Sequence, residues 1–316
     1  MIRSNQKTGV NLKNCEDCLM QKIQMTLVIG IILFSTHSYA QSKKNDSRLQ
    51  MYKNTSEIIE LQNFGEDLSG VTYNYDTDTY FVIQNKTAVI TELSKDFKKT
   101  VRRIELKNII DTDTEGIVYL GNNEFAISSE EKNLVTLLTI KPDEKMIDLN
   151  PTNNKNIQLM YLPEANKRNR GLEGVCFARK TDSQSNVLFA VQEDKPKRLF
   201  KWMRPATKDH ITDSSQLQLK EPIDIEKIYK HLLNDLSDCT FDDLTGNIIL
   251  LSHESSRAVE FNSAGALVSQ LELPRTGTQY EGITIGPGNE LILASEPNII
   301  IVMKPTAETS TTTTVK

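Results

Sequence analysis

Acidic residues recur at equivalent positions of a sequence repeat in this chain, and side chains of this type and spacing could bind a metal ion. A six-residue sequence motif, called the first phrase, occurs five times. Its third position is glycine in four copies, and in three of these a glutamate stands directly before that glycine. A second phrase follows each first one, and four of its five copies end in glutamate. Carboxylates gathered from separate repeats favour calcium, which takes six to eight oxygen ligands. The candidate metal ligands are Glu115, Glu130, Glu173, Glu193, Asp238, Glu254, Glu281 and Glu296.

The two phrases indicate a repeat architecture. The first phrase recurs about every 45 to 65 residues, and a period of about 40 to 50 residues is typical of propeller blades. Its copies are 68–73, 114–119, 172–177, 236–241 and 280–285, and those of the second phrase are 80–85, 125–130, 188–193, 248–254 and 291–296.

Each repeat contains short runs with the apolar alternation of half-buried strands, separated by turn residues. The fifth repeat runs out of chain before its outer strand, and the unpaired segment 56–61 can supply that strand. A ring closed in this way leaves no exposed strand edge. The sequence therefore predicts an all-β fold, a five-bladed β-propeller of four-stranded blades closed by an N-terminal strand that joins the last blade.

The predicted fold brings the acids together. The glutamate before each glycine begins a channel-lining strand, and the glutamate that ends the next strand lies beside it because the two strands pair antiparallel. We expect all eight acids at one mouth of the channel, where Ser69, Gln84 and Asn85 replace the acids of the first repeat. An alternative is that Lys132, Lys195 and Arg257, which follow three of the glutamates, neutralise them in ordinary salt bridges.

The N-terminus predicts export. An apolar run at 25–34 is too short for the roughly 20 residues that span a bilayer, and the small residues Ser38 and Ala40 suit a signal peptidase. We divide the chain into an N-terminal extension and signal peptide (1–40), a linker (41–53), the propeller (54–305) and a disordered tail (306–316). We expect a periplasmic protein or one associated with the outer face of the inner membrane, with an uncleaved anchor as the alternative.

Composition limits the partners. The 316 residues are 38% hydrophobic and 25% charged, which suits a soluble globular protein. A net charge of −5 gives no support to nucleic-acid binding, which needs clustered basic residues. We expect a monomer with an unidentified envelope ligand or protein as its partner, and possible peripheral association with the inner membrane.

Insertions and cysteines add local expectations. Residues 150–156 widen the second repeat, and apolar spacing over 223–236 predicts a short helix before the fourth. Cys15 and Cys18 precede the signal segment. Cys176 and Cys239 lie in first strands of successive repeats, and because packed sheets lie about 10 Å apart we favour two buried thiols over a disulfide.

Other candidate chemistry is sparse. His253 adjoins Glu254 and could act as a base or ligand, whereas His210 and His231 fall in insertions. The basic segment 168–170, which precedes the third repeat, could receive an anion. No nucleophile elbow, phosphate-binding loop or paired metal-binding histidine motif is present in the sequence.

The chain resembles the SdiA-regulated (YjiK-like) family of bacterial envelope proteins over about 54–305, on the five first phrases and on Ser129-Glu130, Gln192-Glu193, His253-Glu254 and Ser295-Glu296. The resemblance implies a five-bladed propeller, a bound calcium ion and distant kinship with NHL-repeat propellers, and it implies no established activity. We expect a binding or scaffolding module. The alternatives are a calcium-dependent hydrolase, phosphoesterase or lactonase-like, with its site at the acidic mouth, and a propeller whose calcium only adds stability.

Overall fold

A computed structural model of the protein describes residues 47–162, 171–179, 186–193, 196–204, 218–219, 223–229, 231–274 and 279–306. The predictions for the signal segment, Cys15, Cys18, the basic segment 168–170, Lys195, His210 and the tail beyond Thr306 lie outside these residues. Among the residues described, no helix has the length and apolar character needed to cross a membrane.

Five small sheets make five blades, and the strands of each blade pair antiparallel in order outward from the channel, with one further strand added in parallel at the outer edge of blade 1. Blade 1 contains β2 (Leu68–Asn74), β3 (Thr79–Gln84), β4 (Val89–Ser94) and β5 (Thr100–Lys107). Blade 2 contains β6 (Thr114–Gly121), β7 (Glu124–Ser129), β8 (Leu134–Thr139) and β10 (Gln158–Tyr161). Blade 3 contains β11 (Leu172–Ala178), β12 (Asn186–Gln192), β13 (Arg198–Arg204), β14 (Gln218–Leu219) and β15 (Ile223–Asp224). Blade 4 contains β16 (Asp238–Asp242), β17 (Asn247–Ser252), β18 (Arg257–Phe261) and β19 (Leu267–Glu272).

The N-terminal strand closes the ring, as predicted. Blade 5 contains β20 (Gln279–Ile285), β21 (Leu291–Glu296), β22 (Ile299–Pro305) and, outermost, β1 (Tyr52–Glu60). Strand β1 pairs antiparallel with β22, with Ile58 opposite Ile301. The first strands of the blades contact one another in ring order, from β2 through β6, β11, β16 and β20 back to β2.

Hydrophobic clusters between neighbouring blades hold the ring together. Each of the five interfaces among the described residues has its own cluster, built from the apolar residues of facing strands. Between blades 1 and 2, the rings of Phe81 and Phe125 lie 4.7 Å apart and both side chains are buried. Truncation of such a buried aromatic side chain costs about 3–5 kcal/mol, so the blade interfaces are the main source of stability.

The linker expected over 41–53 is too long, because residues from Ser47 onward pack against the propeller. A 3-10 helix, Leu49–Met51, precedes β1. The Arg48 guanidinium makes a two-pronged ion pair with Asp242 of blade 4, and both side chains are 2% exposed. The buried Glu260 carboxylate accepts the backbone N–H groups of Arg48 and Leu49, at 2.9 and 3.1 Å. We call residues 47–51 the N-terminal clasp.

The prediction of two free thiols is wrong, because Cys176 and Cys239 form a disulfide between blades 3 and 4. Their Cα atoms are 5.5 Å apart, which lies within the range that a disulfide needs. The prediction assumed the general spacing of about 10 Å between packed sheets, which does not apply at the propeller axis. The blades converge on the axis, so their first strands approach one another far more closely than the sheets do on average.

Of the two insertions, the helical one differs in detail from expectation. Among the described residues of the predicted segment 223–236, only Ile225–Tyr229, helix α1, is helical, and residues 223–224 form strand β15 instead. Turns occupy most of the insertion at 150–156, as expected for a widening of blade 2. Strand β9 (Met146–Asp148) was not predicted; it precedes that insertion and pairs in parallel with β5 of blade 1.

Candidate metal centre

The glutamates of the first phrase sit at β-bulges. The pairing of first and second strands slips between Thr114 and Ile117 in blade 2 and between Leu172 and Val175 in blade 3. A bulge adds an unpaired residue and re-aims its side chain. The same irregularity recurs in blades 1 and 5, so the bulge is a feature of the repeat that turns Ser69, Glu115, Glu173 and Glu281 away from a regular register.

Glycines let the first strands approach closely around the axis. A Cβ atom on Gly70 would lie 2.8 Å from the backbone nitrogen of Ile117, and one on Gly116 would lie 2.8 Å from the backbone nitrogen of Val175. Real Cβ atoms almost never make contacts that short. Glycine is therefore required where backbones approach closely, and this approach brings the neighbouring glutamates into one small mouth.

The glutamates that follow the second strands are fixed to the same mouth by the backbone. The N–H of Glu130 donates to the carbonyl of Asp113 at 2.9 Å, and the N–H of Glu193 donates to the carbonyl of Gly171 at 3.2 Å. Each bond joins the end of a second strand to the residue three positions before the blade's first-phrase glycine. Both glutamates are partly buried.

Five carboxyl groups of blades 2 and 3 form two overlapping groups. In each group, one carboxylate oxygen from every residue lies within 4.8 Å of those of the other two. The blade 2 group consists of Asp113, Glu115 and Glu130, and the blade 3 group consists of Glu130, Glu173 and Glu193. The predicted pairs Glu115 with Glu130 and Glu173 with Glu193 therefore lie together in the structure.

Burial and mutual repulsion raise the pKa values of three of these carboxyl groups, Glu115, Glu130 and Glu173. Burial, reinforced by Asp113 and Glu130, raises the pKa of Glu115 to about 8. Burial, together with Asp113 and Glu193, raises the pKa of Glu130 to about 7. The pKa of Glu173 lies well above its ordinary value, first because of burial and then because of Glu115 and Glu130. Two like charges 4 Å apart repel by about 4 kcal/mol at an effective dielectric of 20, so full ionisation needs a counter-ion.

Basic neighbours do not supply that counter-ion in the part of the chain described. No ion pair between described residues involves Glu115, Glu130 or Glu173. Arg257 pairs with Glu272 and donates to the carbonyl of Leu232 instead. The salt-bridge alternative therefore fails for Arg257, whereas Lys195 lies outside the described residues.

Two more predicted ligands lie at the same mouth but outside the two groups. Burial raises the pKa of Glu281 well above its ordinary value, and Glu115 and Glu296 add to the effect. Burial and Asp67 raise the pKa of Glu296, whereas Lys86 and His253 oppose the rise.

The remaining two predicted ligands, Asp238 and Glu254, are placed differently. Asp238 stands where the other repeats have glycine, and its buried carboxylate accepts the N–H of Ile283 in blade 5 at 2.8 Å. Its side chain fills the space that a Cβ on Gly174 would need. Glu254 has an exposed side chain, and its backbone N–H donates to Asp235. Neither residue belongs to the two groups.

The sequence interpretation overlooked Asp113, although the repeat contains a signal for it. An aspartate stands three residues before the glycine position in three of the five repeats, at Asp67, Asp113 and Asp235. Asp113 precedes the first phrase, so the two phrases did not predict it. The structure shows what Asn85 contacts: its Nδ2 donates to Glu115 at 2.7 Å, and its buried Oδ1 has no hydrogen-bond partner among the described residues.

The donor set suits a hard cation. The groups offer carboxylate oxygens, with an amide oxygen of Asn85 nearby, and neither group includes sulfur or imidazole. Calcium prefers such oxygen ligands and tolerates irregular geometry, whereas zinc prefers nitrogen and sulfur and magnesium demands a near-ideal octahedron. The residues present therefore fit calcium.

Comparison with known proteins bears on the family and the fold. A protein-family model described as SdiA-regulated matches residues 44–304. A luciferin-regenerating enzyme matches with a TM-score of 0.50 and 11% identity, over 80% of this chain and 96% of the other. A gluconolactonase from Xanthomonas campestris matches with a TM-score of 0.48 and 10% identity, over 82% and 93%. A virginiamycin B lyase from Staphylococcus aureus gives 0.43 and 9%, over 80% and 99%. At 11% identity, the match to the luciferin-regenerating enzyme shows the fold alone.

Proposed function

The chain belongs to the SdiA-regulated family, and on that premise we propose that it is an exported calcium-binding β-propeller that acts as a binding or scaffolding module at the bacterial cell envelope. The observation that supports calcium is the pair of overlapping carboxylate groups at the channel mouth. Repulsion among these carboxylates disfavours their ionised state, and a bound cation would reverse that penalty.

The burial of the carboxylates favours a bound ion over loose attraction of counter-ions. Glu115 and Glu173 are each only 9% exposed. A buried carboxylate loses its hydration, and the loss is offset only by a partner or by protonation. Calcium supplies such a partner, since it bonds directly to several carboxylates at 2.3–2.6 Å. The bound ion would hold the carboxylates of the mouth in place, and a partner with oxygen ligands of its own could complete the coordination of the ion.

Calcium binding is tested by titrating chelator-treated, purified protein with calcium in a calorimeter. We expect heat of binding and a rise in melting temperature with calcium concentration, because a ligand that binds only the folded state stabilises it. The Glu173→Gln variant should bind more weakly, since it removes one charged ligand and keeps the shape of the side chain. Glu105→Gln is the matched control, because Glu105 is exposed on β5. Unchanged calcium binding in Glu173→Gln would contradict the assignment.

A hydrolase is the second candidate, and His253 favours it. Its Nδ1 is buried without a hydrogen-bond partner in the part of the chain that the structure describes, and the ring lies close enough to Glu296 to oppose the rise in that residue's pKa. An imidazole beside a metal-binding mouth could activate water for attack on an ester. A screen of phosphate esters and lactones, with calcium and with chelator, separates the candidates. Calcium-dependent turnover that is lost in His253→Ala would replace the binding module with an enzyme.

The envelope location is tested independently of calcium. Fractionation of cells that express the full chain should place the protein in the periplasm or on the inner membrane. Mass measurement of the mature N-terminus should show cleavage after Ala40. Retention of the intact chain in the cytoplasm would contradict the envelope role and leave calcium binding unaffected.

A further inference from the structure

The two carboxylate groups at the mouth share a single residue. Glu130 belongs to both, whereas Asp113 and Glu115 belong only to the blade 2 group and Glu173 and Glu193 belong only to the blade 3 group. Glu130 follows β7, which pairs with β6 in blade 2, and β6 also contacts β11 of blade 3. Its carboxylate is therefore placed between the acids of two blades.

Ligand distances allow one cation for each group. Two oxygens on the same calcium ion lie at most about 5 Å apart, because each lies 2.3–2.6 Å from the ion. The three ligand atoms of each group lie within 4.8 Å of one another, so each group fits around one ion. The five residues together do not form one such group. A single ion therefore cannot bind all five carboxylates in this arrangement.

An unpaired buried side chain points to a ligand in the blade 3 group. Glu173 is 9% exposed, and no ion pair between described residues involves its carboxylate. A buried carboxylate in that state is costly unless a partner is bound. The observation is independent of the clustering, because it would hold for Glu173 alone.

The blade 2 group has room to complete a coordination shell. A cavity of about 330 Å³ borders Asp113 and Glu130 and is also lined by Asn85, Lys86 and Asp111. A calcium ion takes six to eight oxygens, so an ion held by three carboxylates needs water or amide ligands as well. The buried Oδ1 of Asn85, which accepts no hydrogen bond from any described residue, is a candidate for one of them.

Charge also favours a second ion. The two groups contain five carboxylates, and one divalent ion would leave an excess of negative charge at a mouth that also includes Glu281 and Glu296. A second divalent ion would nearly balance the five. Since repulsion strengthens as water is excluded, the excess charge is most costly where the side chains are buried.

We propose that the mouth binds two divalent cations, one in each group, and that the Glu130 carboxylate bridges them. This inference rests on the proposed calcium-binding function and adds its stoichiometry and ligand sets. Two ions that share a carboxylate present a site for an oxyanion, such as a phosphate or carboxylate, that binds both at once.

The stoichiometry of calcium binding tests the proposal. Chelator-treated full-length protein, titrated with calcium chloride, should bind two ions per chain, and metal analysis after gel filtration should agree. Asp113→Asn and Glu173→Gln should each lose one ion and keep the other. Glu130→Gln should weaken both ions, and Glu105→Gln should keep both. The amide variants remove repelling charge at nearly constant volume, and circular dichroism confirms that each remains folded.

The outcomes separate this inference from the function on which it rests. One ion per wild-type chain, abolished equally by Asp113→Asn and Glu173→Gln, would overturn the two-ion site and leave calcium binding intact. No bound calcium at all would overturn both. Anomalous scattering from crystals soaked in strontium chloride gives a second readout. Two peaks about 4 Å apart beside Glu130 support the proposal, and a single peak contradicts it.

Discussion

At the residue scale, burial decides how the acidic mouth behaves. Carboxyl groups that share a small, partly dry space ionise with difficulty, and two of them, Glu115 and Glu130, have pKa values raised to about 8 and about 7. Both values lie near neutral pH, so the protonation state of the mouth changes in that range. The stability of the calcium-free protein should therefore depend on pH.

We expect the calcium-free protein to lose stability as pH rises. The folded-state pKa values of Glu115 and Glu130 lie above the ordinary value of 4.5, so the folded state holds protons that the unfolded chain releases. This contribution is complete below about pH 4.5 and is lost as pH rises to about 8. Urea unfolding in chelator at several pH values measures it. Saturating calcium should flatten the decline, and a decline of equal size in the Glu115→Gln/Glu130→Gln double variant would contradict the explanation.

The sequence predicted most of the site because the residues repeat. Glu115, Glu130, Glu173 and Glu193 were found from their places in the phrases, and strand adjacency correctly paired them. Glu254 departs from the pattern for a physical reason. The first strand of blade 4 pairs without a bulge, and Glu254 lies in the turn after β17 with its side chain exposed. A repeat in the sequence does not ensure a repeat in side-chain direction.

At the scale of elements, the N-terminal clasp explains how the N-terminal end of the propeller is held in place. Strand β1 pairs with blade 5, whereas the clasp before it is fixed to blade 4 by Arg48. The N-terminal segment thus connects blades 4 and 5, which lie on either side of the last interface in the ring. The closing strand was predictable from the missing outer strand of the fifth repeat. The clasp was not, since a single arginine and a distant aspartate form no pattern along the sequence.

We expect Asp242→Asn to destabilise the protein by about 3–5 kcal/mol, because removal of one partner leaves the Arg48 charge buried and unpaired. Thermal or denaturant unfolding measures the change. Lys95→Ala is the control, since the Lys95 and Asp78 side chains of that ion pair are more than half exposed, and such pairs contribute at most about 1 kcal/mol. Equal effects of the two substitutions would show that the clasp adds little to stability.

At the scale of the whole molecule, blades 3 and 4 have a covalent link in addition to their packing. The disulfide between Cys176 and Cys239 closes a loop with a sequence separation of 63 residues. That loop includes the segments around 205–222 that lie mostly outside the described residues. Fold class and blade number were predictable from the repeats, but the disulfide was not, because it depends on the distance between strands at the axis.

Loss of the disulfide should lower the stability of the protein. A cross-link over a loop of about 60 residues contributes about 4 kcal/mol through the unfolded state. The Cys176→Ala/Cys239→Ala variant should therefore unfold at lower denaturant concentration than the wild type. Reducing agent should shift the wild type towards the variant and leave the variant unchanged. A variant as stable as the oxidised wild type would show that packing alone sets the strength of this interface.

The closing strand also sets the order of events during biosynthesis. Strand β1 leaves the ribosome early, but its partner β22 follows about 240 residues later, which at about 5–20 residues per second is a wait of about 12–50 s. Throughout that interval β1 (Tyr52–Glu60) has no partner strand to pair with. Assistance from a chaperone that shields nascent strands would matter most during this delay, and circular permutation that places β1 after β22 would remove it.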